Sequence, residues 1–153
     1  MITYRPIRGM LEAFQTLEMI RDLDAFYPDF TDWWINKVIP GVVVNNDPMI
    51  VADDGSRIIG LACGKVSEKK LRCLRVASEY KDRGIGIKLI ERILPILGTD
   101  RPAASIPEER VHDFSRILVN RFDFKLDRVE KGLYRKGKLE YFFNGIPAPR
   151  SSY

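Results

Sequence analysis

The segment 74–90 constrains the fold more than any other part of the chain. It reads Leu74-Arg75-Val76-Ala77-Ser78-Glu79-Tyr80-Lys81-Asp82-Arg83-Gly84-Ile85-Gly86-Ile87-Lys88-Leu89-Ile90. A strand ends near Val76, a polar loop follows, and from Ile85 apolar residues return at Leu89, Ile90, Ile93, Leu94 and Leu97, the spacing of one helical face. A strand therefore runs through a short loop into a helix. The first turn of such a helix carries unpaired N–H groups and the positive end of a dipole. Gly84 and Gly86 let an anion approach that main chain without meeting a Cβ. Lys81, Arg83 and Lys88 add positive charge at the same point. The segment asks for an anion, although a glycine pair is also what tight helix–strand packing uses.

Spacing narrows the choice of anion. The Gly-x-x-x-x-Gly-Lys-Ser/Thr phosphate loop is absent. A dinucleotide fingerprint needs a third glycine three residues after Gly86, where Leu89 stands.

The rest of the chain reads as a succession of elements. Residues 2–6 alternate as a short strand. Residues 10–26 place Leu11, Phe14, Leu17, Ile20, Leu23 and Phe26 on one helical face. A second helix spans 33–38 and is stopped by Pro40. Residues 48–52, 57–66 and 70–76 are strands joined by turns at 53–56 and 67–69. A hairpin centred on Glu68 makes Cys63 and Cys73 cross-strand partners, expected as two packed thiols. After the helix 84–97 come a strand at 103–106, a helix at 108–122, and strands at 124–134 and 139–143 with a turn at 135–137. Helices interrupting a largely antiparallel sheet make an α+β class.

At 153 residues, the length suits one domain that buries enough surface to fold without disulfides or metal. Two cysteines with no Cys-x-x-Cys spacing exclude a disulfide scaffold. No signal-like leader or membrane-length apolar run is present, so a cytoplasmic protein that does not engage membranes is expected. No His, Cys and carboxylate cluster has metal spacing, so no metal is expected. The net charge of +4 comes from 25 basic residues interleaved with 21 acidic ones. The basic run Lys65, Lys69, Lys70, Arg72 and Arg75 alternates faces on a hairpin, which argues against a nucleic-acid partner.

Val76, four residues, Lys81, two residues, Gly84, one residue and Gly86 resemble the acetyl-coenzyme-A signature of the GNAT N-acetyltransferase superfamily. That signature is Arg or Gln, two residues, Gly, one residue, then Gly or Ala. The element order resembles the fold of that family over nearly the whole chain. Lys81 departs from its Arg or Gln but keeps a donor there. The resemblance implies a GNAT-like domain over 1–145, with a mostly antiparallel mixed sheet splayed around a coenzyme-A cleft and flanked by helices. Residues 146–153 would be a loose C-terminal tail. It implies acyl transfer from acetyl-CoA, as cosubstrate, to a primary amine by direct attack in a ternary complex. Leu74, Arg75 and Val76 would meet the pantetheine arm. Lys81, Asp82, Arg83, Gly84, Ile85 and Gly86 would hold the pyrophosphate. The thioester would lie between 74–76 and 103–105. The acceptor would be a small-molecule or peptide amine, and a homodimer through a sheet edge is common in the family.

The resemblance fails at the catalytic positions. Asp123-Phe124 stands where the family has Gly-Phe, so the usual tyrosine acid falls on Val119, and the frequent Asn seven residues earlier becomes His112. The glutamate base of some members falls at about Lys70. The substitutes read from the sequence are Glu108 and Glu109 at the helix start, His112 as the single histidine, and Tyr134 and Tyr141 near the last strands. Glu109, His112 and Tyr134 are the catalytic candidates. The aromatic group Phe26, Tyr27, Phe30, Trp33 and Trp34 reads either as core or as an acceptor-site wall. The alternative to an enzyme is a coenzyme-A-binding module that has lost catalysis and serves a regulatory or interaction role.

Overall fold

The computed structural model describes residues 1–145, and two strands buried on both faces organise it. Thr3–Pro6 (β1) pairs antiparallel with Met49–Asp53 (β2), and β2 pairs with Ile58–Lys65 (β3). Nearly every residue of β2 and β3 is buried. Their continuous apolar runs follow from helices lying on both sides of the sheet. Lys70–Val76 (β4) closes the order β1-β2-β3-β4. Ala104–Pro107 (β5), Leu126–Lys131 (β6) and Leu139–Phe143 (β7) form a second antiparallel sheet in the order β5-β7-β6.

The two sheets meet between β4 and β5. Lys70 and Ala103 form a parallel bridge. There the Leu71 N–H donates to the Ala103 carbonyl (2.9 Å) and the Ala103 N–H donates to the Lys69 carbonyl (3.0 Å). Past this bridge β4 and β5 share no ladder, and a cleft lined by both strands opens between them. The expected α+β class with a splayed, mostly antiparallel sheet is the architecture observed.

One face of the first sheet is covered by the N-terminal helices: Gly9–Gln15 (α1), Leu17–Ile20 (α2), Phe30–Trp33 (α3) and Ile39–Asn45 (α4). They enclose Ala13, Ile20, Phe30, Trp34 and Val38 against Met49, Val51, Leu61, Cys63 and Cys73. The other face carries Ile85–Leu97 (α5), whose stripe of Ile85, Leu89, Ile90, Ile93, Leu94 and Leu97 is buried. It packs on Ile50, Ala52, Ile59 and Ala62. Val111–Leu118 (α6) follows β5.

Four local features depart from the sequence reading. The continuous helix expected over 10–26 breaks at Thr16, whose buried hydroxyl donates to the Ala13 carbonyl (2.5 Å) and accepts from Trp34 Nε1 (3.0 Å). Leu11 and Phe14 consequently face outward. Pro40 does not stop the second helix, which runs as one rod from Phe30 to Asn45. A proline ring crowds the carbonyl four residues back. The wide π turn Trp34–Val38, where the Ile39 N–H reaches the Trp34 carbonyl, supplies the room. The helix expected over 108–122 begins only at Val111, because residues 108–110 form a turn. The strand expected to reach Tyr134 ends at Lys131, which leaves Tyr134 in the connection to β7.

Cys63 and Cys73 are register partners, both buried and free. Burial raises the Cys63 thiol well above its ordinary value and pushes Cys73 up to about 12. Both therefore remain neutral packing groups. Among the described residues no helix is long and apolar enough to cross a membrane. The expected tail 146–153 lies outside the described residues.

Candidate active site

The wide end of the cleft is a cavity of about 500 Å³ at the N-terminus of α5. One bank is Leu74, Arg75 and Val76 of β4 with Tyr80, Lys81, Asp82, Gly84, Ile85, Gly86 and Ile87. The other comes from the start and face of α6: Arg110, Asp113, Phe114, Arg116 and Ile117. Gly84 takes φ 77°, the left-handed region, and no side chain caps the helix. The N–H groups of the first turn are therefore left for the cavity. A Cβ built on Gly86 would come no nearer than 3.6 Å to a neighbour, Ile117 Cδ1. Packing therefore does not demand this glycine, and its missing Cβ leaves the main chain open where it lines the cavity. Packing does demand glycine on β3: a Cβ at Gly64 would lie 2.6 Å from the Lys70 carbonyl and 2.8 Å from Leu97 Cδ2.

The loop before α5 is tied to the β2–β3 turn. Tyr80 Oη donates to Asp54 Oδ2 (2.7 Å), and Arg57 pairs with Glu79. Asp54 also accepts the N–H groups of Ser56 and Arg57, and these bonds, Tyr80 first, hold its carboxyl well below the usual range. The carboxylates of the turn 53–56 are thus taken by main-chain donors, by Arg5 of β1 and by the loop.

Along β4, the Ala77 N–H donates to the Ile59 carbonyl (2.8 Å). Stepping by two along this antiparallel ladder, Arg75 faces β3 and the main chains of Leu74 and Val76 face the cleft. The Arg75 side chain points the other way, to the Met19 carbonyl (3.2 Å) and the Asp22 carboxylate (2.7 and 2.6 Å). Of the nine predicted coenzyme-site residues, Arg83 alone is absent from the cavity wall; its guanidinium lies over the Tyr80 ring (5.2 Å). Lys88 is likewise drawn off, to the Tyr4 ring (5.7 Å). Arg110 and Arg116 supply positive charge from the opposite bank.

No family model and no curated protein sequence matches the chain. Its shape matches many solved structures. An N-acetyltransferase from Staphylococcus aureus Mu50 superposes with a TM-score of 0.71 at 14% identity, over 94% of this chain and 96% of that one. Arabidopsis thaliana NAA60 in complex with acetyl-CoA gives 0.67 at 18% identity, over 94% and 97%. A GCN5-related N-acetyltransferase from Rhodopseudomonas palustris gives 0.62 at 13% identity, over 92% of each chain. The chain has the GNAT fold.

Within this GNAT fold the cleft narrows past Leu74 into a neck of about 80 Å³. Tyr27, Leu71, Arg72, Ala104, Ser105 and Pro107 are among the residues around it. The bridge closes the gap at Ala103, and residues 104–107 of β5 line its open part, overlapping the expected 103–105 at 104 and 105. Beyond the neck is a recess of about 40 Å³, lined by Tyr27, Trp33, Lys70, Leu71, Arg72, Ser105 and Tyr134. The aromatic group divides between the two roles read from sequence. Trp34 is core (0% exposed), Tyr27 and Trp33 wall the recess, and Phe30 is buried yet lines the neck. Tyr134 packs edge-on against Tyr27, with centroids 5.3 Å apart.

The catalytic candidates separate. Glu109 is held by Arg135 through two bonds (2.7 and 2.8 Å), which lower its carboxyl to about 2. It is a structural anion, too acidic to accept a proton near neutrality. Glu108 accepts from the Leu139 N–H (2.6 Å) and fastens the same corner. His112 is exposed on α6 and lines none of the three cavities. Tyr141 packs in the core. Of Glu109, His112 and Tyr134, only Tyr134 reaches the recess. Val119 is exposed at the end of α6. Asp123 takes φ 59° where the resemblance has Gly, in ion pairs with Arg101 and Lys125. Lys70 is buried at the apex, and burial lowers its ammonium to about 8.

One group escaped the sequence reading. Glu140 on β7 is 4% exposed, and Tyr27 Oη donates to its Oε2 at 2.6 Å. Burial raises this carboxyl to about 7, against hydrogen bonds from Tyr27 and Ser105. Between Leu139 and Tyr141 it reads as the outward residue of a half-buried strand. Only the fold reveals the segment around Tyr27 covering it.

Proposed function

We propose that the chain transfers an acetyl or other short acyl group from acyl-coenzyme A to a primary amine. The observation that carries this reading is the uncapped, glycine-opened N-terminus of α5, set at the mouth of a cleft between two splayed strands. A diphosphate fits the first turn, where N–H groups and the dipole favour negative charge. Lys81, Arg110 and Arg116 would flank it. The free edge at Leu74 and Val76 offers amide groups to the pantetheine arm, as a further strand would be met. The narrowing between Leu74 and residues 105–107 then directs the thioester toward the recess. An amine entering from the Tyr27 and Trp33 side meets the carbonyl there, and juxtaposition of the two reactants supplies much of the rate. GNAT-fold neighbours with acetyl-CoA bound support the donor.

The acceptor is a small-molecule or peptide amine. The basic run is engaged within the fold, which favours such an amine over nucleic acid: Lys65 pairs with Glu68, Lys69 reaches the Leu97 carbonyl, Arg75 binds Asp22, and Lys70 and Arg72 line the recess. The exposed Val119, at the position of the family's acid, favours one other reading, a coenzyme-binding module without turnover. Calorimetry with acetyl-CoA and thiol release with a panel of amino acids, polyamines and peptides separate the two. Binding with turnover is expected. Binding without turnover on every amine leaves the module, and absence of binding removes both.

A further inference from the structure

Glu140 is a buried carboxyl with no ion-pair partner at contact distance among the described residues. Its neighbours are accounted for element by element. From the segment before α3, Tyr27 donates to it at 2.6 Å. From β5, the Ser105 side chain favours the charged form more weakly than Tyr27 does. On β6 its register partner Glu130 is taken by Arg128 (2.9 Å). From the β6–β7 connection Arg135 acts on it electrostatically, but the guanidinium is committed to Glu109, whose charge opposes that effect. A carboxylate buried with one bonded hydroxyl normally costs stability, and an amide or an apolar residue would meet a structural role at lower cost.

The position of the Tyr27 hydroxyl gives the group a use. Tyr27 and Ser105 each line both the neck and the recess. From β4, Arg72 lines both cavities as well and Lys70 lines the recess, but of these side chains Tyr27 is the one bonded to the buried carboxyl. The Tyr27 ring is fixed by Tyr134 on one side and Phe30 on the other (5.3 and 5.6 Å). Its hydroxyl therefore cannot swing away from Glu140 without unpacking the aromatic group.

We propose that Tyr27 and Glu140 form the proton relay that removes the acceptor amine's proton during acyl transfer. The proposal rests on the acyl-transfer reading above. The amine nitrogen bonds to the thioester carbonyl carbon. Its surplus proton passes to Tyr27 Oη as the Tyr27 proton passes to Glu140. The carbon–sulfur bond then breaks, the thiolate takes a proton from water, and Glu140 returns its proton to water. Tyr27 meets the acceptor, and Glu140 acts through it. The raised carboxyl suits this task, since a proton acceptor works best when its own affinity lies near the operating pH. The base thus sits on β7, across the cleft from the β4 position that Lys70 occupies.

The test is the pH dependence of kcat/KM for the best-used amine of the panel, in the intact chain and in Glu140→Gln and Tyr27→Phe. The wild type is expected to show an acid limb near pH 7, in addition to any limb set by the amine itself. Both variants should lose that limb and fall on the order of a hundredfold in rate, with acetyl-CoA affinity unchanged. A variant that keeps both limb and rate overturns the relay while leaving acyl transfer intact. Absence of turnover in a wild type that binds acetyl-CoA overturns acyl transfer and the relay together. Should either variant fail to fold, carbon-13 titration of the Glu140 carboxyl in the wild type decides instead. A midpoint near 7 supports the relay, and one in the ordinary carboxylate range overturns it.

Discussion

The two ends of the cleft are built on opposite plans. The end proposed for the coenzyme is made largely of main chain from one continuous stretch, 74–87: a free strand edge, a left-handed glycine and the first turn of a helix. The end proposed for the acceptor is made of side chains from positions 27, 33, 70, 72, 105 and 134, delivered by separate elements, with Glu140 behind Tyr27. The first plan needs only that a strand, a loop and a helix form in order, and substitutions that spare the glycines leave it standing. The second depends on how the N-terminal helices seat against the second sheet. The same fold can therefore keep its donor and change its acceptor chemistry.

Three changes test this contrast. The largest effect is expected at the acceptor end, through Glu140. In the folded chain this carboxyl keeps its proton up to about 7, against the ordinary 4.5. Between those pH values the folded state holds a proton that the unfolded state has lost, so stability falls as pH rises. The amount is about 3 kcal/mol across the window. Denaturant unfolding at pH 4.5 and 7.5 should show this loss in the wild type and not in Glu140→Gln. Equal pH dependence in the two chains would mean that the acceptor end holds no strained carboxyl.

Gly86→Ala addresses the donor end. The new methyl meets only ordinary contacts within the protein. Thermal stability should hold, while acetyl-CoA affinity drops about tenfold or more, roughly 1.4 kcal/mol. Unchanged affinity would break the claim that the main chain there is the binding surface. The smallest effect belongs to Glu109→Gln, which removes a partly exposed ion pair with Arg135 and Lys138. It should cost below about 1 kcal/mol of stability and leave turnover near the wild-type rate. A loss of turnover comparable to that of Glu140→Gln would return Glu109 to the list of proton acceptors.

The same contrast explains what could be read before the structure. Strand positions, the β4–loop–α5 junction and the Cys63–Cys73 pairing were legible because periodicity and turn residues are local signals. The breaks at Thr16 and through Pro40 were not, because each depends on a partner outside its own helix turn. Thr16 leaves the helix to satisfy the indole of Trp34, and Pro40 is tolerated because the chain ahead of it widens. Glu109 and His112 were plausible by type and place, yet one is neutralised by an arginine 26 residues away and the other faces solvent. Glu140 carries no local mark at all, since alternation puts it on the open side of β7 and only the aromatic segment over it makes it a buried acid.

The bridge at the apex has one further consequence. Among the described residues there are two sheets and one seam between them, and the seam is made by the amides of Leu71 and Ala103. Exchange of those two protons with solvent therefore measures how often the two sheets part, separately from the melting of either sheet.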